Sequence, residues 1–549
     1  MASPARSLPP GAGQIDLFSL PAELRDAIAS HLPNRDIKSL RLTCTLFGNS
    51  VLLRINRVFL SVDPVDVRVF RAIADNDTYR RGVVELIWDD ARLDMPPEPP
   101  RAYRCKHMMQ HIEPFWQNWY AEVCERNRKE AEYRKSSDVD RPDLAERARW
   151  MAAQPPAEVL WAHYKELVEQ QLKVSKSSDD AFALQYGLSR FPSLRKITLT
   201  PATHGVQFTP LYQTPMIRAL PYGFNYPIPR GWPAKEAIER VTIPLWRSGS
   251  EKDEFDKNRW RGFRIITWML AREKHNISDF VVDVSLLNTG LNAHMFDQSC
   301  DDYNDFVTML LKPGFRRIDL ALLVGGQHHE GWPAFRNGQL RLALGVAADL
   351  EHVSLRTNVP YEVDCEDWAK NDDEHFIPLR TIFSIDKWPK LQHFGLSGFV
   401  VRQADLISLL ASLPPTVRSV ELSFLHFQKD HGTNRDFLTA MRNTLDWRER
   451  PVSERPKVVM GWHMDGLVPK DGRAVWVDDE VNDFIYNNGD NPFSQVAPFR
   501  VSTGSGTKRD FFEPAYERPN AQVIDLMRMG IVQKSRWVLP ADDPAWLIP

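Results

Sequence analysis

Two histidines, His107 and His111, stand four residues apart on a predicted helix, with Glu113 close by. That spacing puts both imidazoles on one helix face, where they can share a metal ion. The His-Glu-x-x-His order that pairs two ligands with a general base is absent, so the sequence reads them as helix-surface histidines. A second group, His328-His329-Glu330, follows Gly325-Gly326 and falls on a predicted loop after a strand. A catalytic histidine there needs a Ser or Cys nucleophile held on a sharp turn, and no such elbow accompanies it. Gly504-Ser505-Gly506-Thr507-Lys508 has the residue types of a phosphate cradle without its spacing or a preceding strand, which predicts a flexible loop. Asn371-Asp372-Asp373-Glu374 lacks the glycine that bends a calcium loop and reads as a solvated turn. No catalytic template is completed. The expectation is a binding protein, not an enzyme, with no metal and no cofactor.

Composition narrows the partners. The chain has 549 residues and a net charge of -3, from 69 basic and 72 acidic side chains. Hydrophobic residues make up 43% and charged residues 26%, enough to bury a large core. Near-balanced charge argues against nucleic acid as the partner. No stretch approaches the roughly 18 to 20 apolar residues that a membrane-spanning helix needs. The five cysteines are odd in number and none forms a C-x-x-C pair, which argues against a disulfide framework or a structural zinc site and favours the cytoplasm or nucleus. Residues 1–14, rich in Pro, Gly and Ala, are expected to be a disordered leader.

The elements begin with a helical module over residues 15–60. Leu20, Leu24, Ile28 and Leu32 recur at four-residue steps and form an apolar stripe. Ser19 is placed to cap that helix, Pro21 is tolerated in its first turn, and Pro33 ends it. Asn34 is placed to cap a second helix, whose stripe is Ile37, Leu40, Cys44 and Phe47. Two or three short helices bury little surface alone, so such a module takes a partner, either another domain or another chain.

The ordered series Leu20-Pro21-x-Glu23-Leu24, Ile28, Leu32-Pro33, Asp36-Ile37, Leu40-Arg41-x-Thr43-Cys44, Phe47 resembles the F-box motif, and the chain as a whole resembles F-box proteins of filamentous fungi. The resemblance covers about 40 residues. It implies docking onto the Skp-type adaptor of an SCF ubiquitin ligase, and through it a cullin scaffold. The adaptor-binding candidates it implies are Leu20, Pro21, Leu24, Ile28, Leu32, Pro33, Leu40 and Cys44, some of which must instead pack inside the module.

Beyond residue 61 a kernel recurs: apolar, two residues, apolar, one residue, apolar. It appears as Val83/Leu86/Trp88, Leu194/Ile197/Leu199, Ile238/Val241/Ile243, Phe315/Ile318/Leu320, Leu350/Val353/Leu355, Leu391/Phe394/Leu396 and Val417/Val420/Leu422, with a looser copy at Ile277/Phe280/Val282. Alternation of its last two apolar positions marks a strand with one buried face. Helical patterns over 180–191, 303–312 and 403–413 lie between kernels, so the strands are expected to be parallel. The predicted fold class is α/β: a three-helix F-box, then an irregular leucine-rich-repeat-like array over 61–462, with a closed or doubly wound sheet as the alternative. A charged, aromatic helical insertion is expected at about 96–178. Its charge runs read as solvated helix faces, with Trp116, Trp119 and Trp161 as a possible partner contact. Residues 457–462 and 474–477 are predicted edge strands, and 463–549 a capping segment that hides the last apolar face.

In a leucine-rich sheet the residues between kernel apolars face the concave side. Those are Thr198, Thr242, Asp319, Ser354, Arg356, Ser397, Glu421 and Ser423, the candidates for contact with a target protein. The expected function is substrate recognition in an SCF-type E3 ubiquitin ligase; the alternative is an F-box-like scaffold acting outside a ligase.

Overall fold

The computed structural model describes residues 20–32, 34–99, 111–137, 149–205, 210–233, 243–285, 287–359, 373, 376–463 and 474–493. Where apolar residues alternate, the chain forms strands whose buried faces must be covered together. The resulting α/β fold is built on one large parallel sheet. Its main path runs β1 (Arg57–Leu60), β2 (Glu85–Asp89), β3 (Lys196–Thr200), β4 (Asp279–Val282), β6 (Arg317–Leu323), β7 (His352–Thr357), β8 (His393–Ser397), β10 (Ser419–Ser423) and β12 (Lys457–Val459), with β5 (Leu291–Asn292) paired to β6. A small parallel pair, β9 (Val400–Val401) with β11 (His426–Phe427), follows β8 and β10. Strand order follows chain order throughout the main path. A doubly wound sheet reverses direction at a switch point, and a closed sheet would pair the first strand with the last; neither occurs on this path. The architecture is compatible with a repeat array.

Register explains why the kernel recurs. Val58, Leu86, Ile197, Phe280, Ile318, Val353, Phe394, Val420 and Val458 are successive partners across the sheet, forming one apolar row. All are buried in a single core, each burial worth about 1.5–3 kcal/mol. Helices supply the opposing layer. Phe70 comes from α4 (Pro64–Asp75), and Leu406, Leu409 and Leu410 from a helix over Gln403–Ala411. The expected helices are present as Asp179–Arg190, Asp301–Leu310 and Gln403–Ala411.

Two sequence expectations are corrected. Ile55, Val58 and Leu60 already carry the kernel spacing, and β1 joins the sheet inside the segment 15–60, so the helical module ends before Arg57. The kernel at Ile238/Val241/Ile243 forms no rung, because β3 is bonded directly to β4. Ile243 lies buried in an irregular segment against Gly325; Ile238 and Val241 fall outside the described residues.

The chain opens with α1 (Ala22–Ser30), α2 (Asn34–Arg41) and α3 (Thr45–Ser50), around a small core of Ala29, Ile37, Phe47 and Val51 that is distinct from the sheet core. Asn34 does more than start α2. Its side chain donates to the Arg54 carbonyl at 2.6 Å and accepts from the Arg54 amide at 2.9 Å, while the Arg54 guanidinium bonds the Ser30 and Leu32 carbonyls. The segment leaving α3 is thereby tied across the end of α1. No side chain caps α1, and Ser19 lies outside the described residues.

The insertion between β2 and β3 contains α5 (Ile112–Ser137) and α6 (Ala157–Ser177), followed by α7 (Asp179–Arg190). It has its own core of Tyr120, Trp161, Tyr164 and Leu167 with Phe224 and Tyr226. Trp161 is buried, and the half-buried Trp116 and Trp119 pack against this cluster, so all three tryptophans serve the insertion's own core. At the other end, β13 (Gly461–His463) pairs antiparallel with β14 (Ala474–Trp476). The helix Asp478–Tyr486 sinks Val481, Phe484 and Ile485 into the sheet core, closing its last apolar face. No helix among the described residues is long and apolar enough to cross a membrane.

Candidate functional site

The N-terminal module divides its apolar residues between two tasks. Leu32, Leu40 and Cys44 pack against the module's own core, so these three adaptor candidates are chiefly structural. Leu24 and Ile28 sit one turn apart on α1 and remain 52% and 44% exposed. Pro21 is exposed and Leu20 half-buried; Pro33 lies outside the described residues. Leu42, Leu46 and Leu52, which the motif did not single out, are also exposed. Exposed apolar residues at helical spacing over a small core form the kind of surface a helix-in-groove partner covers.

The second surface is the sheet face opposite the helices. Of the target candidates, Asp319, Ser354, Arg356 and Glu421 are partly exposed there, while Thr242 lies outside the described residues. Thr198, Ser397 and Ser423 are buried, so they are not open contact residues. The Thr198 hydroxyl donates to Glu85 at 2.7 Å. The Ser423 hydroxyl donates to Glu421 at 3.1 Å and accepts from the Gly461 amide at 3.0 Å. These hydroxyls complete the sheet's own hydrogen bonding because their neighbours cover them.

One residue before each kernel's middle apolar, register aligns a charged row that the sequence reading missed: Arg57, Glu85, Lys196, Asp279, Arg317, His352 and His393. The signal was the two-residue period itself, which puts this position on the same face as the residue after the middle apolar. Buried Glu85 accepts from Arg57 at 2.9 Å and Lys196 at 2.8 Å. Asp319 is gripped by Arg317, at 3.0 Å through Nε, and by His352 at 2.7 Å. Burial by itself would raise the Asp319 carboxyl, but His352 and then Arg317 outweigh it and hold it well below the usual range. The His352 and His393 rings stack with centroids 4.0 Å apart and planes 10° apart. Arg356 reaches across to the Ser285 carbonyl at 2.7 Å.

A buried polar node lies where β1 and β2 end. Asp66 accepts from Ser61 at 2.7 Å and from the Met216 amide at 2.8 Å. Asp90 accepts from the Trp232 indole at 2.6 Å and the Gly262 amide at 3.0 Å. Gly231 has φ of +71°, and a Cβ there would meet the Asp90 carbonyl oxygen at 2.2 Å, so only glycine allows this approach. His204 Nδ1 lies 2.7 Å from the Tyr226 hydroxyl, and its Nε2 lies 3.7 Å from Asp89. Burial pushes Asp66 up to about 7, against the Ser61 hydrogen bond and with help from Asp63, and it pushes Asp89 far above its ordinary value. Burial also lowers His204 to about 3 and so keeps it neutral. A carboxyl-imidazole group of this kind invites an acid-base reading. Its members are nonetheless buried and spent on each other and on backbone amides, so the node fastens residues 200–205 and 210–232 to the sheet.

The residues first read for chemistry are not assembled. Glu113 accepts from the Trp161 indole at 2.7 Å and from Lys165 at 2.9 Å, joining α5 to α6, and His107 lies outside the described residues. Asp373 pairs with Arg402 at 2.7 Å, while Asn371, Asp372, Glu374 and residues 504–508 lie outside the described residues, as do the side chains of His328 and His329. Among the described residues, no group of three His, Cys, Asp or Glu side chains is placed to hold a metal ion. No protein-family model matches the chain, and no curated protein matches it significantly.

Proposed function

We propose that this chain is a binding protein, the substrate-recognition subunit of an SCF-type E3 ubiquitin ligase. The N-terminal helices, which resemble an F-box, would dock a Skp-type adaptor and through it a cullin. The irregular leucine-rich-repeat-like array would hold a target protein on its sheet face. Such a receptor does no chemistry; it raises the concentration of a target lysine near the loaded conjugating enzyme. The observation that carries the reading is the division within α1 to α3: a separate small core is satisfied while Leu24 and Ile28 stay exposed at helical spacing.

The test is recovery of adaptor and cullin with the intact chain and with a Leu24→Ala/Ile28→Ala variant. Loss of both partners with an unchanged melting profile supports docking through this surface. Equal recovery from both proteins defeats it. Recovery of the adaptor without cullin points to the scaffold reading, an F-box-like protein outside a ligase.

A further inference from the structure

The edge of the sheet where the strands begin is basic, although the chain as a whole is acidic. The charged row supplies Arg57, Lys196, Arg317 and Lys457. The residue just before it on each strand belongs to a second ladder, in which each carbonyl bonds the next strand's amide; that ladder adds Arg195, Arg316 and Arg418. Against these seven cations stand three carboxylates, Glu85, Asp279 and Glu351, a net charge of +4 with the two histidines left out of the count. Including Asp319, which Arg317 grips, the edge still carries +3, whereas the whole chain carries -3. Arg195, Arg316, Arg418 and Lys457 are exposed. Arg316 meets Glu351 only at 3.8 Å, and Arg195 and Lys457 have no ion pair among the described residues.

We propose that this edge receives an acidic, extended segment of the target protein. The inference rests on the reading that the sheet face is the target surface, and it names the class of target. Six strand steps separate β3 from β12, about 29 Å at the usual strand spacing, which an extended peptide spans in roughly nine residues. Carboxylates on such a segment can sit opposite the cations at β3, β6, β10 and β12 and avoid Asp279 and Glu351 between them. A nucleic acid, with a charge at every phosphate, cannot skip those positions, so an acidic peptide fits the edge better. Cations at strand starts also bond local backbone carbonyls, as Arg418 does to the Pro415 carbonyl at 2.6 Å. That structural role predicts a stability effect, which the test separates from binding.

The full chain is titrated against a labelled twelve-residue oligoglutamate peptide by fluorescence anisotropy, with oligolysine and a dodecamer of thymidylate as competitors. Oligoglutamate is expected to bind and to weaken on the order of tenfold between 50 and 300 mM salt, because exposed charges are screened. The Arg195→Glu/Arg316→Glu/Arg418→Glu variant should lose that binding and gain oligolysine binding. The milder Arg195→Gln/Lys457→Gln variant should weaken it without altering the melting profile. A Lys129→Glu/Lys252→Glu control, on exposed residues of the helices Ile112–Ser137 and Glu251–Lys257, neither of which leads into a strand, should leave it unchanged. Equal binding by parent and edge variants overturns the proposal, as does tighter binding of the oligonucleotide or a drop in melting temperature with affinity intact. Adaptor recovery in the same preparations reports separately on the ligase reading.

Discussion

Asp66 is 1% exposed, and burial moves its carboxyl from 3.8 up to about 7. A midpoint raised that far corresponds to roughly 4 kcal/mol, at about 1.36 kcal/mol per tenfold change in proton affinity. The sign follows from linkage. Between pH 4 and 7 the folded protein binds this proton more tightly than the unfolded chain does. The favourable contribution is therefore complete below about pH 4 and is lost as pH rises through 7, where the fold must hold a buried charge. Asp66→Asn removes the charge, keeps an oxygen to accept from the Met216 amide, and places its amide group against the Ser61 hydroxyl. Urea denaturation of parent and variant, followed by tryptophan fluorescence at pH 5 and pH 8, reads the difference. At pH 5 the variant's advantage should be less than half of that at pH 8, because the unfolded carboxyl already ionises near pH 4 while the folded one still holds its proton. At pH 8 the variant should be the more stable, with about 4 kcal/mol as the ceiling, because Asp89 and Asp63 share the node and relax with it. A difference that does not change with pH, or a variant less stable at pH 8, would refute the account of the node as a cost of buried charge.

Other perturbations probe other parts. Arg261 and Asp180 form a buried bidentate pair, 2.9 Å on one arm, joining α7 to the helix Arg261–Arg272; Arg261→Ala strands a buried carboxylate and should cost about 3–5 kcal/mol by calorimetry. Gly398 has φ of +71° and a Cβ there would meet the Thr357 carbonyl oxygen at 2.2 Å, whereas Gly326 has φ of +83° in open space. Gly398→Ala should therefore destabilise well beyond the roughly 1–2 kcal/mol expected for Gly326→Ala, and equal melting temperatures would contradict that contrast. Ile37, 1% exposed in the N-terminal core, should lose about 2–5 kcal/mol of module stability on change to Ala, seen as faster hydrogen exchange over residues 22–51. Leu24→Ala, on the exposed side of the same module, should leave that exchange unchanged.

Much of the fold is legible in the sequence because strand and helix burial are local patterns. Leu194/Ile197/Leu199 and Val417/Val420/Leu422 announce rungs through spacing alone, as does the Leu406/Leu409/Leu410 stripe its helix. The candidate surfaces were partly legible for the same reason: alternation places Asp319 and Ser354 on one face, and the same logic would have found Lys196 and His352. What local pattern cannot decide is which rungs form and which side chains are covered. Ile238/Val241/Ile243 has the kernel spacing yet contributes no rung, because the edge of β3 is already taken by β4. Thr198 and Ser423 obey the alternation and are still buried, since burial depends on neighbours far along the chain. The same holds for the node, where Asp66 meets Met216 across 150 residues and Asp90 meets Gly262 across 172. A carboxyl becomes a buried, proton-holding group only once distant backbone donors close around it, so tertiary structure alone settles its state.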